Sequence, residues 1–223
     1  MVKRYNGLMS DAISSKLATF FSQFKQCKYK KGEILVRAGD EPSGIFYLTK
    51  GRVKEYSISQ NGDEFVVNIF KPVSFFPMSW AINGTQNDYF FEAMEDVEAI
   101  KAPREKVVEF IKNQPEVLFD LLSRVFRGMD GILQRITYFM SGSAYTRLVT
   151  ELLIDAKRFG KIEGNKVTLN STEKDIASQA GMSRETVSRE FKILKDKGIL
   201  TFARNEIIVP DIHKLEDELT FGL

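Results

Sequence analysis

Arg184, Glu185 and Arg189 are the side chains whose type and spacing could do the most specific chemistry in this chain. A guanidinium can fork onto the O6 and N7 acceptors of guanine, and a carboxylate can accept from the amino group of cytosine. On a helix, Val187, Phe191 and Leu194 fall in one narrow sector, which must be buried. Glu185, Ser188, Arg189 and Lys192 fall opposite, with Arg184 at the boundary in the first turn. An Arg-Glu-x-x-x-Arg array of this kind suits G·C pairs. The same helix carries more basic heads (Arg184, Arg189, Lys192, Lys195, Lys197) than acidic ones (Glu185, Glu190, Asp196). Plain solvation also produces charged helix faces, so the spacing alone leaves both readings open.

The stretch that must position this face is Ser171–Gly198, STEKDIASQAGMSRETVSREFKILKDKG. Thr172 is suited to cap a helix, with Asp175 three residues on as in a capping box. Ile176, Ala177 and Ala180 give that first helix an apolar side. Gly181 can adopt the left-handed conformation that ends a helix, and Ser183 can cap a second one. Two short helices around a tight turn form a helix-turn-helix pattern, whose second helix enters a DNA major groove. On the far side, ILTFAR, a turn at Asn205-Glu206 and IIVP predict a hairpin wing. Pro210-Asp211 begins a last polar helix. On the near side stand an amphipathic helix, YTRLVTELLIDAKRFG, and a short strand, KVTLN.

Upstream the texture changes. Leu8, Ala12, Leu17, Phe20, Phe21 and Phe24 recur near helical spacing. From Tyr29 to Lys101 short apolar runs (EILVRA, IFYLT, VKEYSI, FVVNIF, YFFEA, VEAIKA) alternate with turn signals, the pattern of a β-sandwich or barrel. Asn61-Gly62 is a hairpin signal. Pro103 opens a short helix and Pro115 a long one. Along the latter Leu118, Leu122, Val125, Met129, Ile132, Ile136 and Phe139 are spaced alternately four and three apart, which predicts a coiled-coil seam with a twin helix. A long helix packed on its own domain is the alternative. SGS at 141–143 is the expected hinge. The expected class is therefore α+β. A β-roll domain would span 1–114, a dimerisation helix with its hinge 115–142, and a winged helix-turn-helix 143–223.

Composition narrows the function classes. The 223 residues are 43% hydrophobic and 28% charged, with a net charge of +2, too little for a nonspecific nucleic-acid coat. No apolar run approaches the roughly 18 residues of a membrane span, and the opening MVKRYNGLMSDAISSKL has no apolar core of a secretory signal. A cytoplasmic protein with no membrane partner is expected. One cysteine, Cys27, cannot make an internal disulfide framework. With a single histidine, His213, no Ser-His-Asp set near a pocket is expected, and there is no GxxxxGK[ST] loop. An enzyme is not expected.

The order of roll, long helix, hinge and winged helix-turn-helix, with SRETVSR at Ser183–Arg189, resembles the cyclic-AMP receptor protein/FNR family of bacterial transcription regulators over nearly the whole chain. The resemblance implies that Arg184, Glu185 and Arg189 read bases of a TGTGA-like half-site, doubled as an inverted repeat on double-stranded DNA by a homodimer. It implies phosphate contacts from Thr172, Ser183 and Thr186. Lys192 is added as a phosphate contact from its place on the same face. Glu173 departs from the family's pattern, which has a basic residue there. RNA polymerase is the partner implied by family.

The sensor end departs further. Pro77-Met78 stand where cyclic-nucleotide binders carry Gly-Glu. Asn87 or Asp88 stands where they carry the Arg that neutralises the phosphate. Ile132-Leu133 replace a Thr-Ser pair that meets adenine. Cyclic AMP is not the expected effector. The family's iron–sulfur sensor needs four thiolates, and the lone His213 lies past the wing, so no cofactor is expected. The aromatic run around the pocket region is, plainly read, a packed core. A sharper reading is an apolar effector near Phe75, Trp80, Tyr89, Met129, Ile132 and Leu133. The alternatives are a constitutive regulator without ligand, and a redox switch at Cys27 amid Lys25, Lys28, Lys30 and Lys31.

Overall fold

In the computed structural model, residues 11–60, 62–203 and 205–220 are described, apart from the side chains of Asp11, Gln134, Tyr138, Phe139, Ser141 and Thr220. A helix, α1 (Asp11–Phe21), precedes β1 (Lys25–Tyr29), β2 (Ile34–Val36), β3 (Ile45–Lys50), β4 (Val53–Ile58), β5 (Glu64–Phe70) and β6 (Phe75–Phe76). After α2 (Met78–Asn83) come β7 (Phe90–Ala93), β8 (Val97–Ala102), α3 (Arg104–Lys112) and α4 (Pro115–Ser141). The remainder is α5 (Ala144–Phe159), β9 (Lys161–Glu163), β10 (Lys166–Leu169), α6 (Glu173–Ala180), α7 (Arg184–Asp196), β11 (Thr201–Ala203), β12 (Glu206–Val209) and α8 (Ile212–Thr220).

The first eight strands form two antiparallel four-stranded sheets, ordered β1-β8-β3-β6 and β2-β7-β4-β5. Period-two alternation sorts their side chains. Phe46, Leu48, Phe76, Val97 and Ala99 from one sheet meet Val53, Phe91 and Ala93 from the other in a core between the sheets. The alternate positions Ile45, Tyr47, Phe75 and Ile100 face outward, where Leu17 and Phe21 of α1 and Val107 and Ile111 of α3 cover them. Gly51 shows how tightly the β3–β4 turn is drawn in. Its φ is +85°, and a Cβ there would stand 2.7 Å from the Asp96 carbonyl oxygen. The β4–β5 hairpin pairs from Val53↔Phe70 to Ile58↔Glu64; Asn61 of its sequence signal lies outside the described residues.

By packing, the chain divides between Val125 and Phe126, so α4 contributes to both units. In the second unit Leu148, Leu152, Ile176, Val187, Phe191 and Leu194 form one core with the sheet ordered β11-β12-β10-β9. The wing is the β11–β12 hairpin, in register from Thr201↔Ile208 to Ala203↔Glu206. The break between α4 and α5 is Gly142-Ser143, and Ser143 caps α5 by accepting from the Thr146 N–H at 3.2 Å.

Candidate nucleic-acid interface and sensor face

The turn between α6 and α7 is built by capping chemistry. The Thr172 hydroxyl accepts from the Asp175 N–H at 3.3 Å, while the Asp175 carboxylate accepts from the Thr172 N–H at 2.8 Å and hydroxyl at 2.7 Å, a complete capping box. Gly181 ends α6 with a φ of 61°, and the Met182 N–H returns to the Ala177 carbonyl at 3.0 Å. Ser183 then accepts from the Thr186 N–H at 3.2 Å and starts α7. Val187, Phe191 and Leu194 of α7 are buried. A Tyr145–Glu218–Lys197 cluster fixes the far end of α7: Tyr145 Oη and Lys197 Nζ each donate to Glu218 Oε2 at 2.6 Å.

That rotation leaves Ser183, Arg184, Glu185, Ser188, Arg189 and Lys192 exposed, and Thr186 half-buried. Arg189 does not stand unpartnered, because its Nε donates to Glu190 Oε1 at 3.2 Å. The periodicity had not distinguished Glu190 from the exposed acids, yet it is 7% exposed. Hydrogen bonding to its own N–H and then to Ser183 holds the Glu185 carboxyl below its ordinary range, so it is an acceptor near neutral pH. Thr172 has its N–H and hydroxyl hydrogen already committed to Asp175. In chemical terms the face offers two guanidiniums, one carboxylate, an ammonium and hydroxyls over a rigid helix start.

Along α4 the positions Leu118, Leu122, Val125, Met129, Ile132 and Ile136 are 43–50% exposed. The side chain of Phe139, the last predicted seam residue, lies outside the described residues. A second apolar row stands beside the first at strict seven-residue spacing: Phe119, Phe126, Leu133 and Met140, from 56% to 81% exposed.

The six candidate effector residues fall in three places. Phe75 and Trp80 are buried in the helix-covered core, outside the space between the sheets. Alternation turns Phe76 inward and Phe75 outward, and Arg104 lies over the Trp80 ring at 5.1 Å. Tyr89 packs half-buried against the intersheet core. Met129, Ile132 and Leu133 are exposed on α4. Asn87 is buried, and its amide donates to the carbonyls of Arg37 at 2.9 Å and Tyr89 at 2.8 Å. Sequence reasoning missed Glu55. It pairs in register with Phe91 and Asn68, which puts it on the inner face of its sheet. Burial pushes its carboxyl up to about 7, against a hydrogen bond with Asn68 that pulls it down. Cys27 is half-buried on the edge strand β1. Among the described residues no three His, Cys, Asp or Glu side chains gather as a metal site would, and no helix is long and apolar enough to cross a membrane.

A two-sheet roll, a long apolar-faced helix and a winged helix-turn-helix with an exposed polar reading face define a DNA-binding regulator with a sensor-type domain. Comparison with known proteins gives the same order of parts. Residues 26–114 match the model of the cyclic nucleotide-binding domain and residues 146–218 that of the Crp-like helix-turn-helix domain. The global nitrogen regulator of Nostoc sp. is 28% identical over 81% of this chain and 83% of its own. The CRP-like cAMP-activated global transcriptional regulator of Mycobacterium tuberculosis is 22% identical over 94% of each. The structure of a CooA mutant from Carboxydothermus hydrogenoformans superposes with a TM-score of 0.75 at 21% identity, over 90% of each chain. The chain belongs to the cyclic-AMP receptor protein/FNR family. It is a transcription regulator of that type with a helix-turn-helix DNA-binding domain, and the family is not one of enzymes.

Proposed function

We propose that the chain acts as a homodimer, paired along α4, that reads a TGTGA-like inverted repeat. Arg184, Glu185 and Arg189 contact bases; Ser183, Thr186 and Lys192 contact phosphates. Thr172 adds a phosphate contact only by turning its hydroxyl hydrogen away from Asp175. The observation that carries this reading is the pairing of two exposed faces. One is the polar face of α7, the other the apolar row of α4, which monomeric soluble proteins seldom leave uncovered. The regulator works in the cytoplasm, with RNA polymerase as its further partner.

The controlling effector is not cyclic AMP. A cyclic phosphate needs a cation to offset its buried charge. Here Asn87 is committed to backbone carbonyls and the inner face of the roll presents Glu55. In-vitro selection from random duplexes, with the purified chain alone and with small-molecule extract, tests the proposal. Enriched inverted repeats containing G·C pairs about one helical turn apart are expected. An A/T-only half-site, or tightening by cyclic AMP alone, would contradict it.

A further inference from the structure

We infer that Arg135 is a positioning residue for DNA reading: from α4 it sets the aim of the helix-turn-helix by clasping Glu151 of α5 across the Gly142-Ser143 break. The clasp is bidentate, with Arg135 Nε donating to Glu151 Oε2 at 2.7 Å and Nη2 to Oε1 at 2.5 Å. Two parallel bonds between planar groups fix orientation as well as distance. Glu151 is 1% exposed and Asp155, one turn on, 2%. With its amide nitrogen turned inward, Gln179 of α6 donates to Asp155 at 2.8 and 3.0 Å and to Glu151 at 3.3 Å. A continuous polar path thus runs from α4 through α5 to the first helix of the helix-turn-helix.

Charge and packing together separate this role from simple stabilisation. Burial lowers the pKa of Arg135, but its bonds and attraction to Glu151 outweigh that and leave it raised. Arg158 is lowered, by burial and then by repulsion from Arg135. The cluster therefore holds two carboxylates against two guanidiniums. Among the described residues, no side chain of α4 enters the apolar core that binds α5 to α6, α7 and the wing sheet. The neighbours of Arg135 on α4 at Ile132, Leu133 and Ile136 are exposed. Among the described residues the domain's core does not depend on the clasp, whereas the clasp joins α4 directly to α5.

The inference rests on the helix-turn-helix reading DNA, and the wild-type chain controls for that. Replacing a buried ion pair by apolar groups of similar size often leaves stability intact, so the main variant is Arg135→Met with Glu151→Leu in the full chain. It is expected to melt near the wild type. On the operator selected by the wild type, it should bind at least tenfold more weakly and accept a wider range of half-site spacings, with the base preference inside each half-site unchanged. A folded double variant with wild-type affinity and spacing overturns the inference. Should that variant not fold, Glu151→Gln, nearly isosteric and still able to accept one bond, carries the test. Several-fold weaker binding with relaxed spacing supports the role, and wild-type behaviour overturns it. A wild-type chain that selects no operator would instead sink the DNA-reading proposal, and this one with it.

Discussion

Arg189 is one of the side chains proposed to read a base. In the free chain its Nε rests on Glu190, and a fork onto guanine through the two Nη groups is compatible with that contact. Arg189→Ala should cost about 1–3 kcal/mol of binding and relax selectivity at one G·C pair. Fluorescence anisotropy over singly substituted operators checks this, and an equal loss on every sequence would mean that Arg189 touches backbone only. Lys192→Ala should do the reverse, weakening all sequences alike and lowering the slope of log affinity against log salt by about one. Glu55 gives a prediction for pH. Its folded-state pKa, about 7, lies above the unfolded value near 4.5. Between those values the unfolded chain releases a proton that the folded chain keeps, so the contribution of Glu55 to stability is fully present below about 4.5 and is lost as pH rises through 7. The loss is at most about 3 kcal/mol, and Glu55→Gln should remove it in urea titrations at pH 5 and 8. The capping box at Thr172 and Asp175 was legible in the sequence because capping is local chemistry between near neighbours. Glu55 and Arg135 were not, because each takes its meaning from a strand register or a helix pairing that no local spacing encodes.

At the scale of elements, α4 shows what periodicity reveals and what it hides. The four-three spacing picked out an apolar row from Leu118 onward that the structure leaves exposed as far as Ile136. The parallel row Phe119, Phe126, Leu133 and Met140 was not singled out, although it turns a narrow seam into a broad apolar face. Two-stranded coiled coils usually keep such flanking positions charged. Met129→Glu should place a charge in the middle of that face. Sedimentation velocity is expected to show the wild type as a dimer and this variant as a monomer with much weakened operator binding. A dimeric Met129→Glu would remove α4 from the interface. Short elements escaped the sequence for a different reason. Strands β1 and β9 are edge strands with mixed or polar faces, KQCKY and KIE, and lack the apolar alternation that marks a strand. β6 has two residues, and the six-residue α2 follows it directly, so neither shows a full period.

Across the whole molecule, the order of parts was legible because each has its own repeat length: two in the roll, three and a half along α4, and capped short helices in the reader. The effector site was not, because aromatic residues serve a core and a pocket equally well. Strand alternation puts Phe75 on the helix-covered side, and Trp80 of α2 packs into the same cluster. The bare apolar face of α4 also bears on how the protein responds to its own supply. In the proposed dimer, where protomers are scarcer than the dissociation constant of the pair, the amount of operator-competent protein would rise with the square of the protomer concentration. Doubling synthesis should then raise promoter occupancy about fourfold at low occupancy, measurable as a titration slope near two. Partitioning at cell division would be amplified in the same way, so that, for the proposed dimer, gene dosage itself would become an input alongside any ligand.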